Sequence, residues 1–521
     1  MKIFRIFAIT LALTAMMPYQ NMAQNQKKLE CYNADCVFEI LERLRSNDVE
    51  VVAEAEITIT ELVDNYRYTG DSRMHDALKN SIIPFAIKFP NYKSTPLLIS
   101  LCHVFCSQDD IWDIAQLFEN EKLADYAIRA VGDIQGADSY VEKYIVKNKS
   151  DLQYKGAWAY AVGQQRVTKL ENELISWLKG ADDKTKIDIY NALLIIKSND
   201  KTAKIIQKGA KKLYKSKIAD NKIAGMRLLT ALKGEKAMPM LLKAVNSDNR
   251  NVHREALKLM KPYANQEVVD KVIKKCKARR EMLDVVDWLG ELKNDTHMDL
   301  IISQLSSSDT EAVHLAIRAI FRIDNAEGIN AVKPLFGGEY QEFIEESMLS
   351  YEGDYRTLLN SFLMSGTENQ KLAALKILEK RPDVIMNTRV RELMNSNNQE
   401  IRDLAYKVLK LVVSPGYADY LKDILENCDA KYVDDVQLAI KNAIKDAKDD
   451  AKDDFVSTLK YVKANIMPRY YNIFAYFGTE LCVEKLIDAY QNGDYKFEAK
   501  EALLLVENEA YKERITEVLK H

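Results

Sequence analysis

The chain has 521 residues, 47% of them apolar, with only 18 Gly and 10 Pro, too few turn formers for a β-rich protein of this length. Its 74 Lys and Arg stand against 77 Asp and Glu, a balance that argues against the basic footprint of a nucleic-acid binder and against the skewed, core-poor composition of a disordered chain. Such a length means several domains, unless repeated units share one continuous core.

At the N-terminus Lys2 and Arg5 precede an uncharged apolar run from Ile6 to Met17. That run is the length of a signal-peptide core and too short to span a bilayer, which takes roughly 20 residues. Residues 1–23 therefore read as a signal peptide cleaved after Ala23, and the mature chain as exported, to the periplasm or beyond. Cys31 follows Lys28, Leu29 and Glu30 rather than the small residues of a lipoprotein signal. No later stretch is long and uncharged enough to cross a membrane. The seven cysteines, at 31, 36, 102, 106, 276, 428 and 482, are irregularly spaced. Cys31 and Cys36 could close a small loop in an oxidising compartment, and most of the others are expected as buried, small apolar residues.

Residues 24–117 read as an N-terminal helical cap of degenerate repeats, interrupted by prolines at 84, 90 and 96. From 118 to 521, polar breaks followed by helical periodicity recur. Helix starts fall near residues 121, 151, 183, 220, 249, 280, 309, 341, 368, 398, 432, 463 and 494, a spacing of about 31 residues that marks a repeat array. Gly234 to Lys261 shows one unit most clearly. Pro239 suits the first turn of a helix, where its missing N–H is no loss. Asn246-Ser247-Asp248-Asn249 then breaks the pattern with capping residues, and a second helix follows with Val252, Ala256, Leu259 and Met260 on one face. Equivalent breaks stand at Ala181-Asp182-Asp183, Ser306 to Asp309, Asn395 to Asn398 and Asn492-Gly493-Asp494.

Within the second helices a small residue, an apolar one and a basic one recur at 127–129, 225–227, 256–258, 316–318, 374–376 and 405–407. The small residue lets neighbouring helices approach, and the apolar residues fill the seam. The basic residues Arg129, Arg227, Lys258, Arg318, Lys376 and Lys407 point away from it. They form a candidate interaction row, or equally an internal ladder to acids of adjacent repeats.

KLADYAIRAVGDI at 122–134, Gly156-Ala157, Ala161-Val162-Gly163 and VHREALKLM at 252–260 resemble HEAT repeats, of the bacterial, lyase-related kind. The resemblance implies an all-α fold, a right-handed α-solenoid of stacked helical hairpins. It also implies a scaffold that binds other proteins, with a lyase-like or chaperone-lyase enzyme as the alternative.

HExxH, GxxxxGK[ST], GxSxG and EF-hand patterns do not occur in the sequence, which leaves no catalytic, cofactor or metal residues to nominate. His253 and His314 occupy one repeated helix position and read as structural. Cys102 and Cys106 in CHVFC share a helical face, but two soft ligands are half a zinc site, and a buried pair is the simpler reading. KDAKDDAKDDF (445–455) reads as an acidic, lysine-balanced helix side rather than a calcium loop. VIKKCKARR (272–280) reads as a solvated basic edge. The tyrosine-rich RYYNIFAYF (469–477) is either a binding surface or packing between hairpins. The expected function is an exported, non-enzymatic scaffold for protein–protein interaction in the bacterial cell envelope, with no cofactor and no nucleic-acid partner. Export and the 27 tyrosines leave carbohydrate binding as a further alternative.

Overall fold

The computed structural model describes residues 33–276 and 279–520. The segment expected to be an export signal, Cys31, and Lys277 and Ala278 of the basic run lie outside the described residues. Among the described residues every regular element is helical, and no described helix is long and apolar enough to cross a membrane. The chain forms two compact units, residues 1–285 and 286–521.

Each unit is built of helical hairpins whose first helices lie in one layer and second helices in another. The second helices are α1 (Val49–Thr69), α2 (Thr95–Phe105), α3 (Ala124–Asp133), α4 (Lys155–Gln164), α5 (Asp183–Ile196), α6 (Ala219–Lys233), α7 (Arg250–Met260), α8 (Arg279–Leu292), α9 (Thr310–Ile323), α10 (Gln341–Leu349), α11 (Glu368–Lys380), α12 (Gln399–Leu409), α13 (Val433–Ile444), α14 (Pro468–Phe477) and α15 (Lys496–Leu504). In the first unit α1 to α7 pack in succession, and in the second α9 to α15 do the same. The fold is an all-α solenoid, and from α3 onward its helix starts follow the sequence period, the largest departure being Pro468 against residue 463.

Capping chemistry sets those starts. Asp182, Asn249, Asp309 and Asn398 each accept a hydrogen bond from a first-turn amide of the helix that follows, which satisfies donors that have no intrahelical partner. The Asn492-Gly493-Asp494 break differs, because α15 begins after Tyr495 with no side-chain cap. The N-terminal prolines do not interrupt the pattern either. Pro84 sits inside the helix Ser72–Lys88 and Pro96 in the first turn of α2, so the alternation of layers already holds from Ala34.

Helix C-termini use a different device, in which a side chain from the next hairpin donates to the orphan carbonyls. Gln165 Nε2 lies 2.6 Å from Gly132 O and 2.7 Å from Ile134 O. Arg381 Nη1 lies 2.7 Å from both Met348 O and Tyr351 O. Each such bond ties one hairpin to its neighbour, so local helix ends and stacking form together.

The seam between second helices is close enough to require small residues. Ala127, Ala256, Ala316, Ala374 and Ala405 are fully buried. At Gly132 on α3 an added Cβ would lie 2.7 Å from the Cα of Ala161 on α4, and at Gly290 on α8 it would lie 2.7 Å from the Cα of Ala319 on α9. The blocking atoms are backbone and cannot swing aside. Gly132→Val is therefore expected to destabilise the first unit by about 1–3 kcal/mol through overpacking. Gly416→Ala, where nothing lies within 4 Å, should stay within about 0.5 kcal/mol of the parent. Urea unfolding of the two variants gives the comparison, and equal midpoints would contradict the close seam.

Candidate functional site: the second-helix face

The six basic residues of the row all lie on second helices, and three of them meet acids of a neighbouring second helix. Arg227 on α6 makes a two-pronged pair with Glu255 on α7, at 2.7 and 2.8 Å. Arg318 on α9 donates to Asp287 on α8 at 2.7 Å, and Arg322 adds a second contact at 3.2 Å. Lys407 on α12 lies 4.0 Å from Glu379 on α11. These are partly exposed pairs, each contributing little to stability, so they set register more than they hold the stack. Lys258 and Lys376 differ in being exposed with no acid in contact among the described residues.

Arg129 on α3 reaches farther than the others. Its Nε donates to Asp125 at 2.9 Å and its Nη2 to Asp188 on α5 at 2.6 Å, passing over α4. The pair is possible because α4 has Gly156 at the crossing point. A Cβ there would lie 2.9 Å from Asp188 Oδ2. Burial pushes the Asp188 carboxyl up from its ordinary value even with Arg129 beside it.

The same glycine-rich helix leaves a trough along the α4–α5 seam. One part is a cleft of about 500 Å³ whose lining includes Tyr154, Lys155, Trp177, Lys179, Lys184 and Asp188. A second part, about 340 Å³, is lined by Tyr160, Gln164, Asn191 and Ile195 among others and meets the first at Asp188. Gly163 holds the floor of the second part, its added Cβ falling 2.9 Å from the Cα of Ala192. Tyr160 donates to Asp133 at 2.8 Å, and the Arg129 guanidinium lies 5.0 Å from its ring centre. Of these residues the sequence reading singled out only Arg129, Gly156 and Gly163. The signal was present in the run KGAWAYAVGQ, where two glycines and three alanines replace the bulky residues of a usual second helix.

The other motifs resolve as packing. His253 is buried with Nδ1 2.5 Å from Val245 O, and His314 stacks on Phe343 at 4.1 Å between ring centres. Cys102 is buried, Cys106 half-buried, and both are free thiols. The neighbouring Cys102 sulfur, with burial, pushes the Cys106 thiol up. Among the described residues no three His, Cys, Asp or Glu side chains gather as a metal would need. The acidic run is not one helical stripe, since its helix starts at Asp449 and Asp446 lies in the preceding turn. In RYYNIFAYF, Tyr470, Tyr471, Phe474 and Phe477 are core, and only Tyr476 is well exposed, under Lys441.

Stacked hairpins tied by inter-repeat ladders define an all-α solenoid of helical repeats. No protein-family model matches the chain, and no curated protein matches it. Among solved structures it is similar to Kap95p binding RanGDP, at 10% identity over 91% of this chain and 88% of that one, with a TM-score of 0.38. It is also similar to UNC-45 from Drosophila melanogaster, at 13% identity over 90% and 76%, TM-score 0.29. The karyopherin Kap121p bound to the extreme C-terminus of the phosphatase Cdc14p matches at 12% identity over 93% and 55%, TM-score 0.27.

Proposed function

We propose that this chain is an exported, non-enzymatic scaffold that holds a protein partner on its second-helix face, in the bacterial cell envelope. The observation that carries the reading is the trough along α4 and α5, a recess with a glycine floor and polar rim, open to solvent on the layer that bears the basic row. Its rim groups are mostly lysines, amides and carboxylates engaged by Arg129, which suits recognition by many modest contacts rather than bond-making. Export is supported by the apolar leader at residues 6–17.

A photo-crosslinking side chain placed at Lys258, Lys376 or Asn191, on second helices, should capture a defined protein from the native envelope fraction. The same group at Lys208 or Asp423, on first helices, should capture little. Equal capture from both layers, or none from either, removes the second-helix face as the binding surface. Recovery of the protein only from the cytoplasmic fraction removes export.

A further inference from the structure

We propose that the trough takes an extended, acidic segment of a protein partner, whose carboxylates meet Lys155, Lys179 and Lys184. The proposal rests on the scaffold reading and names the chemistry of what that face holds.

Three features of the trough select the occupant. The first is charge. Lys155, Lys179 and Lys184 are exposed on one rim of the larger cleft, and among the described residues none of them is bonded to an acid. The acids beside them have closer partners, Lys184 acting on Asp182 and Asp188 only at longer range. Asp125 and Asp188 both accept from Arg129, and Asp182 accepts from the Thr185 amide at 2.7 Å. Arg227, Arg254 and Lys380 each meet an acid on an adjacent second helix, whereas these three lysines do not.

The second feature is shape. Gly156 and Gly163 lie seven residues apart on α4, which is roughly 10 Å of helix at 1.5 Å per residue. An extended chain rises about 3.3 Å per residue, so three or four residues of extended peptide span the floor. The two parts, of about 500 and 340 Å³, follow one another along that line and meet at Asp188.

The third is the floor. Leu152 and Trp177 are almost fully buried beneath the cleft, and Tyr154 beside them is held at φ 51°. They offer an apolar seat for one side chain of the segment, an anchor between charged contacts. Protein fits better than nucleic acid. Three lysines at one cleft match a short run of carboxylates, whereas a phosphate backbone calls for a continuous basic track.

The test uses the full chain and a short fluorescein-labelled peptide of alternating Glu and Gly with one central Phe, followed by fluorescence anisotropy. Saturable binding that weakens as salt rises is expected. Lys155→Gln/Lys179→Gln/Lys184→Gln should weaken it about tenfold, the equivalent of about 1.4 kcal/mol. Lys204→Gln/Lys208→Gln/Lys211→Gln, which removes the same charge from the first helix Asp200–Tyr214, should leave the affinity as it was. Circular dichroism shows whether both variants keep their helices. Equal binding of the Gln-for-Glu peptide overturns the proposal, as does full affinity in the trough variant or tighter binding of a single-stranded oligonucleotide that displaces the peptide. If second-helix crosslinks form while the Glu peptide fails to bind, the acidic segment falls and the scaffold stands; if the crosslinks also fail, the scaffold reading falls with it.

Discussion

Trp158→Ala should lower the stability of the first unit by about 3–5 kcal/mol, the range for truncating a large buried aromatic side chain. Trp158 is 2% exposed and sits on α4, beneath the layer that forms the trough. Its ring stacks on Tyr144 with centres 4.5 Å apart and meets Phe118 edge-on at 5.4 Å, while Phe118 and Tyr144 meet at 5.5 Å. Three rings from a short helical turn, a first helix and a second helix thus close on one point. Edge and offset contacts of this kind add to the area they bury. Alanine would leave a cavity that two rigid rings cannot fill, and α4 could then shift against α3 and α5. Trp158→Phe keeps one ring and should recover part of the loss. Denaturant unfolding reads both, followed as the transition of the first unit because repeat stacks need not unfold as one. A loss below about 1 kcal/mol for the alanine variant would mean that the three rings are not a packing centre.

The architecture was legible because it is periodic. A break of Asn, Asp or Ser before each apolar face states where a second helix begins, and the structure caps four of the five quoted breaks as the residue types require. The failure at 492–494 is equally physical, since Tyr495, not Asp494, precedes the first helical residue. What the sequence left open was the fate of the basic row. Position alone places Arg129 and Arg318 on the outer side of the seam, but whether each meets an acid depends on residues one or two hairpins away. Asp287 and Asp188 are such residues, and neither belongs to a motif. The trough was less legible still. A recess between helices is a statement about side chains that are missing, and Gly156 and Gly163 read equally well as packing residues until the space beside them is seen. The prolines misled for the opposite reason: a local breaker at 84 is overridden by the surrounding stack, in which the helix Ser72–Lys88 buries Met74, Leu78, Ile82 and Phe85.

Asp284→Ala should cost the first unit about 3 kcal/mol or more, because it strands charges that the fold has already brought together. The Asp284 side chain is 3% exposed, and two arginines converge on it. Arg250 donates through Nε at 3.0 Å and Nη2 at 3.0 Å, and Arg254 through Nε at 2.8 Å. His253 Nε2 lies 4.0 Å from the same carboxylate. The arrangement links α7 to the N-terminal half of α8, so the carboxylate serves as the tie between two hairpins. Without it, two guanidiniums face each other across a space that water reaches poorly. Arg254, about half exposed, can swing outward, whereas Arg250 is more confined. The alanine loss should therefore be partly relieved by a second change at the confined position. In a double-mutant cycle, Asp284→Ala with Arg250→Leu should be more stable than Asp284→Ala alone, and the coupling should exceed that of any pair in the exposed row, such as Arg227 with Glu255. If Asp284→Ala unfolds at the same denaturant concentration as the parent, or if the two changes simply add, the carboxylate is not the tie between these hairpins.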